Sequence, residues 1–440
     1  MNNKKWMAIL LGGIMAASLA APCSVSAAEK TTLTFWHAMG GTNGEVLQQI
    51  VDDFNASQDE IEIKAEYQGT YDDTITKLKA AMQSDSGLPD VCQMYDVGTK
   101  FMYDSGAVIP VEDKFESTGY DKSSVMDVIS SYYTVEGKQY AMPFNVSTPM
   151  LYYNKDVFEA AGLDPETPPT TYDEVLEDAK KIVESGAAPV GYSQAIYGWF
   201  FEQQLAGLGV TYGNNDNGRT EAVTAVDFDS NGGGLKVFDM WKKLYDSGCF
   251  EDYGTTTADT QTAFFSGQVG MIIESTAILK NAVDSSPFEV GTGYLPRIEQ
   301  NDEGGVIIGG GSLWLTDTGN EANEDAAWKF IEYITTPDVQ AKWSMGTGYF
   351  AINEKAYETE DMKAYLKENP NFETAINQLK DSPVNCNTAG VLSGVQTEAR
   401  LTFNEIMPQV YDGKLTTQDA VDQLAASVNK AIENYNESIK

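Results

Sequence analysis

The side chains with chemical potential in this 440-residue chain are hydroxyls, amides, carboxylates and aromatic rings, with few nucleophiles or metal ligands. One histidine, His37, serves the whole chain. Neither G-x-S-x-G nor H-E-x-x-H occurs, which removes serine-triad and zinc-hydrolase chemistry. A secreted glycosidase would need two dedicated carboxylates, and among 65 Asp and Glu residues no pair stands out. Gly309-Gly310-Gly311 is not a phosphate loop, because no Gly-Lys-Ser/Thr follows it. Trp36 and His37 close the first strand-like run, Asp96 follows a third, Ser275 ends another, and Gly310 and Gly311 expose backbone N–H groups. Ligands of open α/β sheets bind at the C-terminal ends of the strands.

The stretch MPFNVSTPMLYYN (142–154) raises a question of placement. Asn145, Ser147 and Thr148 lie between segments as apolar as a core, and Pro143 and Pro149 restrict the path of the chain. Such a stretch carries an amide and two hydroxyls between two buried elements.

The elements that position these residues follow from the hydrophobic pattern. TTLTFW (31–36) alternates as a strand; Val46, Leu47, Ile50, Val51 and Phe54 follow at helical spacing; IEIKAEY (61–67) is a second strand. A helix from Thr74 to Met82 and the run LPDVCQMY (88–95) complete the strand–helix–strand–helix–strand order of a parallel α/β lobe. Later, TYDEVLEDAKKIVESG and GLKVFDMWKKLYDSG read as helices ended by glycine. VGMIIE (269–274) and GVIIGGGSLWL (305–315) read as buried strands, DAAWKFIEYITTPDVQAKWSM as a helix broken at proline, and 415–439 as a closing helix. No repeat and no low-complexity linker interrupts the chain, and its length exceeds one ordinary core, so two lobes joined by short crossovers are expected.

The first residues, MNNKKWMAILLGGIMAASLAAPCSVSAAEK, combine a basic start at Lys4 and Lys5, an apolar run from Trp6 to Ala21 and a small-x-small site at Val25-Ser26-Ala27. Residues 1–27 therefore read as an export signal cleaved after Ala27. Cys23 stands where a lipid anchor could attach, although Pro22 makes a poor lead-in. No later run reaches the ~18 apolar residues of a membrane helix, so an exported protein, periplasmic or at the cell surface, is expected. Cys92, Cys249 and Cys386 show no metal spacing and no even disulfide count, and are expected as buried small hydrophobes. A formal net charge of −36 repels nucleic acid and anionic headgroups. Neither nucleic acid nor a cofactor or metal is expected as a partner.

TLTFWHAMGG, YQGTYDD, VCQMYDVGT, MPFNVSTPMLYYNKDVFEAAGLDPETPPTTYDE, IIGGGSLWL and GTGYFAI occur in one order. Together they resemble the family 1 extracellular solute-binding proteins that feed ATP-driven sugar importers, above all the glycerol-3-phosphate-binding branch. The resemblance runs from about Thr31 to the C-terminal helix. It implies an α/β, two-lobed periplasmic-binding-protein fold (type II-like), with the ligand cleft between lobes built from discontinuous segments. The implied lobes are 28–142 plus about 290–345, and 143–289 plus about 346–440, with MPFNVSTPMLYYN as a crossover facing the cleft. It implies a monomer that closes on a small solute and delivers it to a membrane permease. The positions it places at the pocket are Trp36, His37, Tyr71, Asp96, Ser147, Trp199, Ser275, Gly310, Gly311 and Tyr349.

Two departures bear on specificity. Where the branch would have W-Q-G-W, this chain has Ile196-Tyr197-Gly198-Trp199. Where it would have G-x-R-x-G, with the arginine on the phosphate, Gly390-Val391-Leu392-Ser393-Gly394 puts a leucine. A buried phosphate without an arginine fork loses its strongest charge-assisted bonds, although Arg400 lies one helical stretch further on and Arg297 elsewhere. The expectation is a neutral sugar or oligosaccharide, with glycerol-3-phosphate or a glycerophosphodiester as the alternative. A lobe presenting its ligand to a sensor would share the same pocket.

Overall fold

A computed structural model describes residues 30–84 and 87–439; the expected signal segment and Cys23 lie outside them. The chain opens with β1 (Thr31–His37), α1 (Gly41–Ser57), β2 (Ile61–Tyr67), α2 (Tyr71–Met82) and β3 (Val91–Tyr95). Strand β1 runs parallel to both β2 and β3. The apolar stripe of α1, Leu47, Ile50, Val51 and Phe54, is buried against this sheet. Helix α2 starts three residues before the expected Thr74. Thr70 and Asp73 form a reciprocal capping box that satisfies the first free backbone N–H groups. That earlier start puts Tyr71 in the first turn of α2.

Two sheets divide the molecule. The first has the order β2-β1-β3-β10-β4, where β4 is Val108–Ile109 and β10 is Gly309–Thr316; β5 (Met142–Ser147) pairs with β10 outside this path. The second is formed by β6 (Pro149–Asn154), β7 (Val190–Ser193), β8 (Val269–Ser275) and β9 (Val290–Gly293), in the order β9-β6-β8-β7. The stretch 142–154 is therefore one strand in each sheet, with Thr148 alone between them. The return crossover runs between Gly293 and Gly309. Strand pairing keeps Met142–Ser147 with the first sheet and Val290–Gly293 with the second. The segment after β10 stays with the first sheet as far as the bridges Phe350–Val146 and Asn353–Val125.

Three helices of the second lobe matter for the site: α3 (Gly198–Gly207), α4 (Gln396–Tyr411) and α5 (Thr417–Ser438). Their apolar faces, including Phe200, Phe201, Phe403, Met407 and Leu424, form one core with Leu151, Tyr192 and Trp241. A second core fills the first lobe and continues to Phe264 and Ile272 on the facing side of the second sheet. Cys92 and Cys249 are buried and free as expected; Cys386 is free but only half-buried, in the loop before α4. Among the described residues no helix is long and apolar enough to cross a membrane.

Candidate ligand-binding site between the sheets

The site is built outward from the pairing of β5 with β10. Asn145, Val146 and Ser147 face Gly311, Gly310 and Gly309 across this pair. Gly310 has φ +93°, and a Cβ there would lie 1.8 Å from the Asn145 carbonyl oxygen. A Cβ on Gly309 would lie 2.8 Å from the Trp199 ring. The triple glycine thus lets a strand and an indole approach at backbone distance.

Asn145 is fully buried and spent in two directions. Its Oδ1 accepts from Gln93 Nε2 at 2.7 Å, and its Nδ2 donates to the Tyr71 hydroxyl at 2.7 Å. The Tyr71 ring stacks on Tyr95, with centroids 5.1 Å apart and planes 6° from parallel. Tyr349, stacked on Trp343, brings its hydroxyl to the same corner, where it interacts with Tyr71 and Asn145. Burial first, then the neighbouring Tyr349, raises the Tyr71 phenol well above its ordinary value, so it stays a neutral donor and acceptor.

A charged cluster joins the two lobes beside this corner. Asp96 follows β3 and is 5% exposed; Arg400 on α4 and Glu202 on α3 are both 7% exposed. Arg400 Nε donates to Glu202 Oε1 at 2.8 Å, and its Nη2 donates to Glu202 Oε2 and to Asp96 Oδ2, each at 2.7 Å. Gln396 Nε2 adds a bond to Glu202 Oε1 at 2.9 Å. One helical turn along α4 from Arg400, Thr397 meets the Tyr95 hydroxyl at 2.9 Å, so two successive residues of the first lobe clasp one face of α4. Gly198 makes the geometry possible: a Cβ there would sit 2.5 Å from Arg400 Cα. Trp199 and Glu202 are three residues apart on α3 and so share a face. Burial raises the Glu202 carboxyl above its ordinary value against the pull of Arg400. Burial opposes the Arg400 cation, but Asp96 and Glu202 more than offset this and hold it above its ordinary value. Tyr197 lies under the guanidinium, 6.0 Å from ring centroid to Cζ.

Of the ten positions expected at a pocket, Tyr71, Asp96, Gly310, Gly311, Tyr349, Trp199 and Ser147 belong to this connected region. Ser275 ends β8 on the second-lobe side, where its Oγ accepts from Ala277 N at 3.2 Å and its carbonyl from the Tyr152 hydroxyl at 2.7 Å. Trp36 is half-buried and donates its indole N–H to Glu66 at 2.9 Å on the neighbouring strand. His37 packs between Phe35 and Tyr67 and accepts from Met39 N at 3.3 Å; burial lowers its pKa to about 4. Both have intramolecular work where they stand. Glu202, Tyr197 and Arg400 were not among the expected pocket residues. A usable signal existed for Arg400. Only three arginines occur among 29 Lys and Arg residues, so lysine is this chain's ordinary cation and each arginine marks a special geometry.

Two cavities lie apart from this region. One of about 570 Å³ sits under the 293–309 crossover, lined by Pro168, Tyr294, Gln378 and Ser382 among others; one of about 730 Å³ lies in the first lobe beside Lys114 and Trp328. Among the described residues no cluster of His, Cys, Asp and Glu could hold a metal.

The profile of the bacterial extracellular solute-binding proteins matches residues 49–374. The sn-glycerol-3-phosphate-binding periplasmic protein of Escherichia coli K12 is 31% identical over 417 residues, covering 93% of this chain and 94% of its own. Among solved structures, the cyclic alpha-maltosyl-1,6-maltose binding protein from Arthrobacter globiformis superposes with a TM-score of 0.77 at 26% identity, covering 92% of this chain and 100% of its own. UgpB from Mycobacterium tuberculosis in complex with glycerophosphocholine gives 0.79 at 20% identity over 93% and 100%, a likeness of fold.

Proposed function

The chain belongs to the bacterial extracellular solute-binding proteins, and on that premise we propose that it captures a neutral carbohydrate or polyol between its lobes and delivers it to the permease of an ABC importer. The observation that carries the reading is the cluster of Asp96, Glu202 and Arg400 beside Tyr71, Tyr197, Trp199 and Tyr349. Two carboxylates share one guanidinium, so the ionised trio carries a net charge of −1. A dianionic phosphate would have to displace a carboxylate to fork onto Arg400, whereas sugar hydroxyls donate to carboxylates and the rings cover C–H faces. Ligand contact is proposed at Tyr71, Asp96, Ser147, Trp199, Ser275, Gly310, Gly311 and Tyr349, with Trp36 and His37 in outer, supporting positions. Both cleft carboxylates are bound to Arg400, which leaves neither free as a general acid; the reading is a receptor and not an enzyme. The proposed lobes follow strand pairing, with hinges at Thr148 and within 293–309. Export by the N-terminal segment and a monomeric state complete the reading, with a lipid anchor at Cys23 as the alternative to cleavage after Ala27.

A second reading rests on Arg400 itself. A buried guanidinium at the cleft supplies the cation that Leu392 does not, and the Escherichia coli relative is named for glycerol-3-phosphate. A thermal-shift screen of the mature protein separates the two. A ligand at 100 times its Kd adds about 2.7 kcal/mol. Melting-temperature rises with maltose or maltotriose and none with glycerol-3-phosphate or glycerophosphocholine are expected. The reverse pattern would overturn the neutral reading.

A further inference from the structure

We infer that Glu202 sets the charge of the solute this site accepts, by occupying Arg400 so that the guanidinium cannot fork onto an anion. The inference rests on the reading that ligands bind beside Arg400. A guanidinium has five N–H donors and two edges that grip an oxyanion with parallel bonds, Nε with Nη2 and Nη1 with Nη2. Glu202 takes the first edge entirely, through Nε at 2.8 Å and Nη2 at 2.7 Å. Asp96 takes the second Nη2 hydrogen at 2.7 Å, so the other edge is broken as well. Only the two Nη1 hydrogens are left, and they diverge, so an oxyanion finds no pair of parallel donors there.

Glu202 is itself fixed in this task. It sits 7% exposed on α3, one turn from Trp199, and Gln396 Nε2 holds its Oε1 at 2.9 Å. The next residue, Gln203, anchors α3 to the crossover by bonding both the N–H and the carbonyl of Ile307 at 2.8 Å. Asp96 comes from the opposite lobe and leaves Arg400 when the lobes part. Glu202 shares a lobe with Arg400 and keeps its two bonds in either state. Discrimination against anions is therefore present before closure, at the encounter with the solute.

Glu202→Gln keeps the shape and removes the charge. The test is the ratio of Kd values for glycerol-3-phosphate and for maltotriose, measured by calorimetry on wild type and variant. We expect Glu202→Gln to shift that ratio toward the phosphorylated ligand by about tenfold or more, which is about 1.4 kcal/mol. Glu202→Asp should keep the wild-type ratio, because it keeps the charge, and Glu202→Gln with Arg400→Gln should lose the gain. A merely structural role would weaken both ligands by one factor and leave the ratio unmoved, and that result overturns the inference. If Glu202→Gln does not fold, a wild-type ratio retained by Glu202→Ala overturns it, and a shifted one supports it. Wild-type preference for glycerol-3-phosphate would sink the neutral reading alone. The change in ratio between wild type and variant would still decide the role of Glu202. Wild-type protein that binds neither probe would overturn both.

Discussion

Two arginines, Arg400 buried and Arg219 half-buried, hold the lobes together, and they do it in opposite ways. Arg400 meets carboxylates, Asp96 from the facing lobe and Glu202 from its own. Arg219 meets backbone: it donates to the carbonyls of Tyr132 at 2.8 Å, Gly390 at 3.0 Å and Ala389, and stacks over the Tyr132 ring at 5.2 Å. No carboxylate compensates its burial, which lowers its pKa to about 10. The Arg219 site is a staple: carbonyls do not move independently of the chain, and the loop that carries it, Asn215 to Asn217, holds three successive left-handed residues of the types that tolerate them. The Arg400 site is exchangeable, because side-chain carboxylates can trade a guanidinium for a ligand hydroxyl. The difference separates a fixed joint of the interlobe boundary from an exchangeable one.

The largest test of this contrast is Arg400→Met. It strands two buried carboxylates, and unpairing a buried ion pair costs about 3–5 kcal/mol. Chemical denaturation should show that loss, and calorimetry should show ligand affinity falling with it. Arg219→Met strands no charge but leaves the carbonyls of Tyr132, Ala389 and Gly390 without their donor; about 2 kcal/mol of stability should be lost. Its ligand affinity, measured on the folded fraction, should stay within about twofold of wild type. Equal losses of affinity in the two variants would break the comparison.

A smaller effect sharpens it. Asp96→Asn keeps an acceptor for Arg400 and leaves the Glu202 fork intact, so stability should fall by less than in Arg400→Met, by about 1–2 kcal/mol. Affinity should fall by about tenfold, because a charge-assisted acceptor for ligand hydroxyls becomes a neutral one. Trp199→Ala should likewise weaken binding. At 5% exposure against Gly309 it should also lower stability, by about 3 kcal/mol if the site does not collapse. An Asp96→Asn protein with full affinity would remove Asp96 from the pocket.

The elements were legible because they answer to local rules. Thr171, Glu174 and Gly186 frame the helix Tyr172–Ser185 as their residue types require, with the capping box made and Gly186 at φ +75°. The break before Pro337 falls where proline allows, at the first turn of the next helix. The family motifs carried Tyr71, Asp96, Gly310 and Tyr349 to one region, since each sits at or just beyond the end of a strand or helix. The Arg400 cluster was not legible in the same way. Asp96, Glu202 and Arg400 are far apart in sequence and meet only when α3 and α4 pack at Gly198, and no spacing rule reports a contact made by three separate elements. Nor did the pattern at the end of β1 report that cross-strand Glu66 and the Met39 N–H engage the polar atoms of Trp36 and His37.

His37 provides the smallest and cleanest test, since it is the only histidine and contacts neither arginine. Its pKa is lowered to about 4 by burial, partly offset by the Met39 backbone bond. The unfolded chain titrates near ~6.5, so the unfolded state binds the extra proton first. The contribution of His37 to stability is therefore complete above the unfolded value, and it is lost as pH falls through that value toward about 4. His37→Asn retains an acceptor for Met39 N–H without a titrating ring. Unfolding free energies of the two proteins should run parallel above pH ~7. The wild type should then fall more steeply than the variant as pH is lowered toward the folded value. The imidazole resonances should stay in the neutral form down to that region, and ligand affinity should change little between the two proteins. An imidazole that charges near its ordinary value, or an affinity that collapses in His37→Asn, would move His37 from the supporting packing of β1 into the solute-sensing side of the boundary.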